Sequence, residues 1–136
     1  RGELEEMACK PGVSGKVHLL GKVDDTRPYY MAANVFALPS VARSEGFGIV
    51  QLEAMAAGVP VVNTRLPSTV PHVSLHGRTG LTVQPGNPSD LADALRTLLE
   101  DRDLMHRFGD AGRDRFRKEF HASMMIGRML RHYDSI

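Results

Sequence analysis

The chain predicts an α/β fold, a parallel sheet with flanking helices, and three observations carry that prediction. The apolar run Val35-Phe36-Ala37-Leu38 ends at Pro39-Ser40 and is too short for a helix, so it reads as a buried strand. Residues 47–57 are rich in helix formers and stop at Gly58-Val59-Pro60, where glycine suits the C-terminal cap and proline cannot continue a helix. Val61-Val62 then supplies a second buried strand, which completes a strand, glycine-containing loop, helix, strand unit.

The other elements follow in order. The helix over 47–57 has Phe47, Val50 and Ala54 on one stripe with Leu52, Met55 and Ala56 beside it, so it is expected to be buried nearly all round. Asn87-Pro88-Ser89-Asp90 combines an N-cap residue, proline at the first helical position and an early acid; Leu91, Leu95, Leu98 and Leu99 then give one apolar face. Residues 102–117 predict one or two helices with Leu104, Met105, Phe108 and Phe116 inward and breaks at Gly109 and Gly112. A last helix over 122–133 places Ala122, Ile126, Met129, Leu130 and Tyr133 on a stripe.

Composition bounds the function. The chain has 136 residues, enough for one domain with a sizeable core, and 17 basic against 16 acidic residues, so no dominating positive field points to nucleic acid. A single cysteine, Cys9, excludes an internal disulfide and fits a reducing, cytoplasmic setting, with the thiol expected at least half-buried. The six histidines have no spacing that suits a metal, and no apolar run is long enough to span a membrane. Arg113, Arg115, Arg117 and Lys118 alternate with Asp110, Asp114 and Glu119, the pattern of a solvated helix face. Tyr29 and Tyr30 are expected to pack rather than to stack on a base.

The chemistry concentrates between Ser44 and Val62. A helix start at the sheet's carboxyl edge presents free N–H groups and a partial positive charge to an anion, and Gly46 and Gly48 let a ligand approach the backbone. Glu45 precedes the helix and Glu53 lies about two turns along it at ~3.6 residues per turn, so the two carboxylates would hold different hydroxyl-bearing groups. The spacing alone also permits a plainer reading, with Glu45 complementing the helix dipole and Glu53 an ordinary exposed residue.

Glu45-Gly46-Phe47-Gly48, Glu53-Ala54-Met55-Ala56 and Gly58-Val59-Pro60-Val61-Val62 together resemble the C-terminal domain of GT-B glycosyltransferases, specifically retaining family 4, glycosyl transferases group 1. The resemblance extends to Val17-His18-Leu19-Leu20-Gly21-Lys22-Val23, to 30–40 and to 76–88, nearly the whole chain, and implies a strand at Val17-His18-Leu19-Leu20 and a last strand within His76-Gly77-Arg78-Thr79-Gly80-Leu81-Thr82-Val83. It implies a Rossmann-like sheet that lacks its first strand-helix-strand unit, residues 1–136 forming a partial nucleotide-sugar-binding domain without the N-terminal acceptor domain. It implies that Glu45 contacts the donor hexose and acts at the catalytic centre, that the backbone of Gly46, Phe47, Gly48 and Ile49 meets sugar and diphosphate, that Glu53 binds the ribose, and that Leu20, Gly21 and Lys22 line the base. Retention would use the donor phosphate to help deprotonate the acceptor, with no enzyme nucleophile, no cofactor and no metal.

The resemblance also implies the partners and their setting: a nucleoside-diphosphate sugar, a glycan or lipid-linked acceptor through the missing domain, and a place in bacterial cell-surface polysaccharide or glycolipid assembly, peripheral at the inner face of the cytoplasmic membrane. Two departures stand against it. The Arg and Lys five apart that clamp the diphosphate in the family have no counterparts here, and His72 stands where the family has an acid. A non-catalytic binding or assembly module of the same fold is therefore the alternative, and a GT-B epimerase is disfavoured by the Glu-Gly-Phe-Gly loop. Lacking two neighbouring strands, the exposed sheet edge is expected to recruit a second copy unless a longer polypeptide covers it.

Overall fold

The computed structural model describes residues 2–42 and 46–121; the predicted helix over 122–133 lies outside them. Three short strands, β1 (Phe36–Leu38), β2 (Val61–Thr64) and β3 (Gly80–Val83), form a parallel sheet in the order β1-β2-β3. Phe36 is in register with Val61, and Val61 with Gly80. Helices α1 (Gly2–Ala8) and α2 (Arg27–Ala32) precede the sheet, α3 (Val50–Ala57) and α4 (Val70–Val73) connect its strands, and α5 (Pro88–Glu100) and α6 (Arg102–Arg115) follow it. A π-helical turn, Phe116–Phe120, closes the described chain.

Every residue of β2 is buried, as the central strand of a covered parallel sheet requires. Alternation sends Val61 into a core with Ala54, Met55, Val59 and Val73, and Val62 into a second core with Val83, Ala94, Leu98 and Phe108. The sheet is thus covered on both faces, and the loop ahead of α3 emerges at its carboxyl edge, where β1 ends.

Several sequence expectations are corrected. Residues 17–20 form no strand: they run irregular and exposed, Leu20 at 56 % of its free surface, because no neighbouring strand among the described residues supplies a ladder. His18 accordingly stands in no strand, and Cys9 is exposed rather than half-buried. His72 lies within α4 instead of on irregular chain. The helix expected from residue 47 starts at Val50, since Gly48 adopts φ +66°, a left-handed conformation that cannot lie inside a right-handed helix. That helix is not buried all round; Gln51, Ala54 and Met55 face inward while Val50, Glu53 and Ala56 are exposed.

In α5 the cap is as predicted: Asn87 Oδ1 accepts from the Asp90 N–H at 3.1 Å. The buried stripe, however, uses Ala94 with Leu98, and Leu99 is 54 % exposed. Gly109 and Gly112 break nothing. Both are buried inside α6, where Gly109 lies directly against the Gly58 carbonyl and Gly112 against Met55. The arginines of this helix are not simply solvated either. Arg113 Nη2 donates to Ala57 O at 3.0 Å at the end of α3, and Arg115 donates to Val73 O at 3.1 Å and His72 O at 2.9 Å at the end of α4.

Candidate functional site

Two features converge beside α3. The first is its start. The N-cap position is Ile49, which has no side-chain acceptor, whereas α5 and α6 are capped by Asn87 and by Asp101, whose carboxylate accepts from Leu104 N at 2.9 Å. The N–H groups of Phe47, Gly48, Ile49 and Val50 meet no acceptor among the described residues. They therefore present unsatisfied donors and the positive end of the α3 dipole toward the carboxyl edge of the sheet. Gly48 is buried, and a Cβ there would come within 2.8 Å of both Gln51 Nε2 and Leu38 Cδ2, so only glycine fits this turn.

The second feature is a cleft of about 370 Å³ lined by Leu20, Gly21, Val23, Thr26, Tyr29, Tyr30, Ala33 and Phe36. Two of these residues reach Glu53, on α3. Thr26 Oγ1 donates to Glu53 Oε2 at 3.5 Å, and the Tyr30 hydroxyl lies close enough to feel the charge of the same carboxylate. The Tyr30 ring packs on Phe36 at 5.5 Å between centroids, which fixes the wall of the cleft. Next to Thr26 in sequence, Asp25 accepts from Arg27 Nε and Nη2, both at 2.9 Å, at the start of α2; these bonds hold the Asp25 carboxyl below the ordinary carboxylate range.

Burial first, and then the neighbouring Glu53 carboxylate, push the Tyr30 hydroxyl from 10.0 up to about 12. The folded state thus favours the protonated phenol. Its contribution to stability is fully present below pH 10 and is lost as pH rises through about 12. Urea unfolding across this range should show wild type losing stability more steeply than Tyr30→Phe; parallel curves would contradict the burial of the Tyr30 hydroxyl beside Glu53.

The sequence-predicted residues fare unequally. Leu20 and Gly21 line the cleft, while Lys22 is exposed and is not among its lining residues. Gly46, Phe47, Gly48, Ile49 and Glu53 come together around α3; Glu45 lies outside the described residues. Phe47 rests edge-on against Phe120 at 6.1 Å. Sequence reasoning missed the buried polar cluster beneath this loop. Asn63 Nδ2 donates to Gln51 Oε1 at 2.9 Å, to Val70 O at 3.1 Å and to Ser74 O at 3.3 Å, and Asn63 Oδ1 accepts from Thr82 Oγ1 at 2.8 Å. A polar residue in the middle of an apolar strand run was the one available signal. No group of three or more metal-ligating side chains occurs among the described residues.

A parallel sheet covered on both faces, with an uncapped helix start at its carboxyl edge beside a carboxylate-bearing cleft, is the architecture of the C-terminal domain of GT-B glycosyltransferases. The chain superposes on HepE of Anabaena, solved in complex with UDP, with a TM-score of 0.90 and 25 % identity over 99 % of this chain and 36 % of that one. A C-terminal domain of a glycosyl transferase group 1 family protein from Francisella tularensis matches with a TM-score of 0.78 and 26 % identity, over 89 % of this chain and 62 % of that one. The family Glycosyl transferases group 1 matches residues 1–101, and the chain belongs to it. Among curated relatives, the D-rhamnosyltransferase WbpZ of Pseudomonas aeruginosa is 33 % identical over 90 % of this chain and 32 % of its own length. The phosphatidyl-myo-inositol mannosyltransferase of Mycobacterium leprae is 34 % identical over 100 % of this chain and 36 % of its own length. The chain thus spans about a third of the curated relatives it matches.

Proposed function

We propose that this chain is the donor-binding portion of a retaining hexosyltransferase that takes a nucleoside-diphosphate sugar and serves polysaccharide or glycolipid assembly. The observation that carries the reading is the pairing, within one unit, of free N–H groups ahead of α3 with Glu53 beside the cleft that Leu20 and Gly21 line. The solved neighbour that holds UDP and the curated hexosyltransferases support it.

In this reading the base occupies the cleft against the backbone of 20–22, and the ribose hydroxyls donate to Glu53. The diphosphate meets the N–H groups of 47–50, and Glu45 contacts the hexose. As the glycosidic bond to the phosphate breaks, negative charge builds on the departing nucleoside diphosphate; preorganised N–H groups and the helix dipole stabilise it without metal. The donor phosphate helps take the acceptor proton on the same face of the sugar, so the configuration is retained. The acceptor, a glycan or lipid-linked group, is expected on the two thirds of length by which the relatives exceed this chain. The edge of β1, unpaired among the described residues, is where a further strand or a second copy would pair. No helix among the described residues is long and apolar enough to cross a membrane; the protein is expected to work peripherally at the cytoplasmic face.

A panel of sugar nucleotides tests the reading, with release of nucleoside diphosphate and the anomeric configuration of the product as readouts. Glu45→Ala should lower kcat by ~10²-fold or more while changing the donor KM little, because a contact near the reacting carbon strengthens in the transition state. Unchanged kcat with a raised KM would remove Glu45 from that role, and inversion of configuration would refute the mechanism.

A further inference from the structure

The donor loop owes its orientation to its carbonyls. In a trans peptide group C=O and N–H point in opposite directions, so fixing one aims the other. Four consecutive carbonyls just ahead of α3 are each held by a donor of the protein. Gly46 O accepts from Thr69 N at 3.0 Å, Gly48 O from Gln51 N at 2.9 Å and Ile49 O from Leu52 N at 2.8 Å. These three bonds are backbone to backbone. The fourth is not: Phe47 O accepts from a side chain, Gln51 Nε2, at 3.3 Å.

We propose that Gln51 is a positioning residue of the donor site, its buried amide holding the Phe47 carbonyl inward so that the Gly48 N–H faces the diphosphate. The proposal rests on the donor-binding reading above. Gln51 is suited to the task because it cannot swing. It is fully buried, its Nε2 also donates to Val70 O at 3.2 Å, and its Oε1 is held by Asn63, which in turn is held by Thr82 of β3. The amide chain Thr82–Asn63–Gln51 thereby ties the loop to two strands of the sheet. Gly48 completes the arrangement, since a side chain there would strike the Gln51 amide itself. On a helix whose inward face is otherwise Ala54 and Met55, a buried amide must spend its polar atoms on hydrogen bonds, and of its partners the Phe47 carbonyl is the one whose peptide group carries a donor-site N–H, that of Gly48.

The test compares Gln51→Leu with wild type for binding of UDP, GDP and ADP and of the matching nucleosides. Removing the amide frees the Phe47–Gly48 peptide to turn, while Asn63 keeps Val70 O and Ser74 O as acceptors. The nucleoside diphosphate should weaken about tenfold, and the nucleoside less than about twofold. Equal weakening of both ligands would reduce Gln51 to a structural residue, and no weakening would overturn the proposal outright. Wild-type protein gives a second measurement that needs no folded variant: on titration with the diphosphate, the amide resonance of Gly48 should shift together with those of Ile49 and Val50. A Gly48 resonance that stays fixed while the other two move would overturn the role of Gln51 and leave the donor site standing. Wild type that binds none of the three diphosphates would overturn both.

Discussion

Glu53→Ala is expected to weaken nucleoside-diphosphate binding by ~100-fold or more while leaving stability within about 0.5 kcal/mol of wild type. A carboxylate that accepts from two ribose hydroxyls makes charge-assisted hydrogen bonds, each worth roughly 1.5–3 kcal/mol when one partner is removed, so a loss near 3 kcal/mol is a conservative figure. The fold has little to lose. Glu53 is exposed, its bond from Thr26 is long at 3.5 Å, and Tyr30 keeps its packing on Phe36 without it. Glu53→Gln should recover part of the affinity, because the amide oxygen still accepts one hydroxyl. The plainer alternative, an ordinary exposed helix residue, predicts no change in binding. Calorimetric titration together with urea unfolding of the same samples separates the two.

Gly109→Ala is expected to destabilise by ~2–4 kcal/mol, against the sign that helix propensity alone gives. Propensity favours alanine over glycine inside a helix by about 1 kcal/mol. At this position, however, the added Cβ would overlap the Gly58 carbonyl oxygen, and that atom is backbone at the end of α3. Relief requires α6 to withdraw, which opens the contact of Gly112 with Met55 and stretches the 3.0 Å bond from Arg113 to Ala57 O. Overpacking of this kind costs more than the propensity gain. Gly112→Ala is the control one turn away: its Cβ would meet Met55 Cγ at 3.5 Å, an ordinary contact, so propensity should prevail and the variant should match or exceed wild type. Equal stability of the two variants in urea would contradict the close α3–α6 approach.

These glycines show where sequence reading stops. Local chemistry was legible wherever the partner lies within a few residues: the Asn87 cap, the Gly58 terminus of α3 with φ +77°, and the apolar runs that became β1, β2 and β3. Effects that need a distant partner were not. Gly109 reads as a break until Gly58, at the end of α3, is brought against it. Gln51 has no readable role until Asn63 arrives from β2, and Arg113 and Arg115 read as solvated charges until the carbonyl ends of α3 and α4 receive them. Residues 17–20 failed for the converse reason: the resemblance implies a strand, yet a strand needs a ladder and none is at hand among the described residues. At the candidate site the motif residues around α3 were legible one by one. The convergence of Tyr30, Thr26 and Glu53 with the cleft was not, because Tyr30 reads as packing and does pack.

The central claim is that the start of α3 and Glu53 form the two ends of one donor site, and a crystal structure of the protein grown with a nucleoside diphosphate tests it most directly. The account predicts the ribose hydroxyls within hydrogen-bonding distance of Glu53, the base in the cleft between Leu20 and Tyr30, and the phosphates on the N–H groups of Gly48, Ile49 and Val50. Phosphates bound elsewhere, with Glu53 facing solvent in the complex, would contradict it.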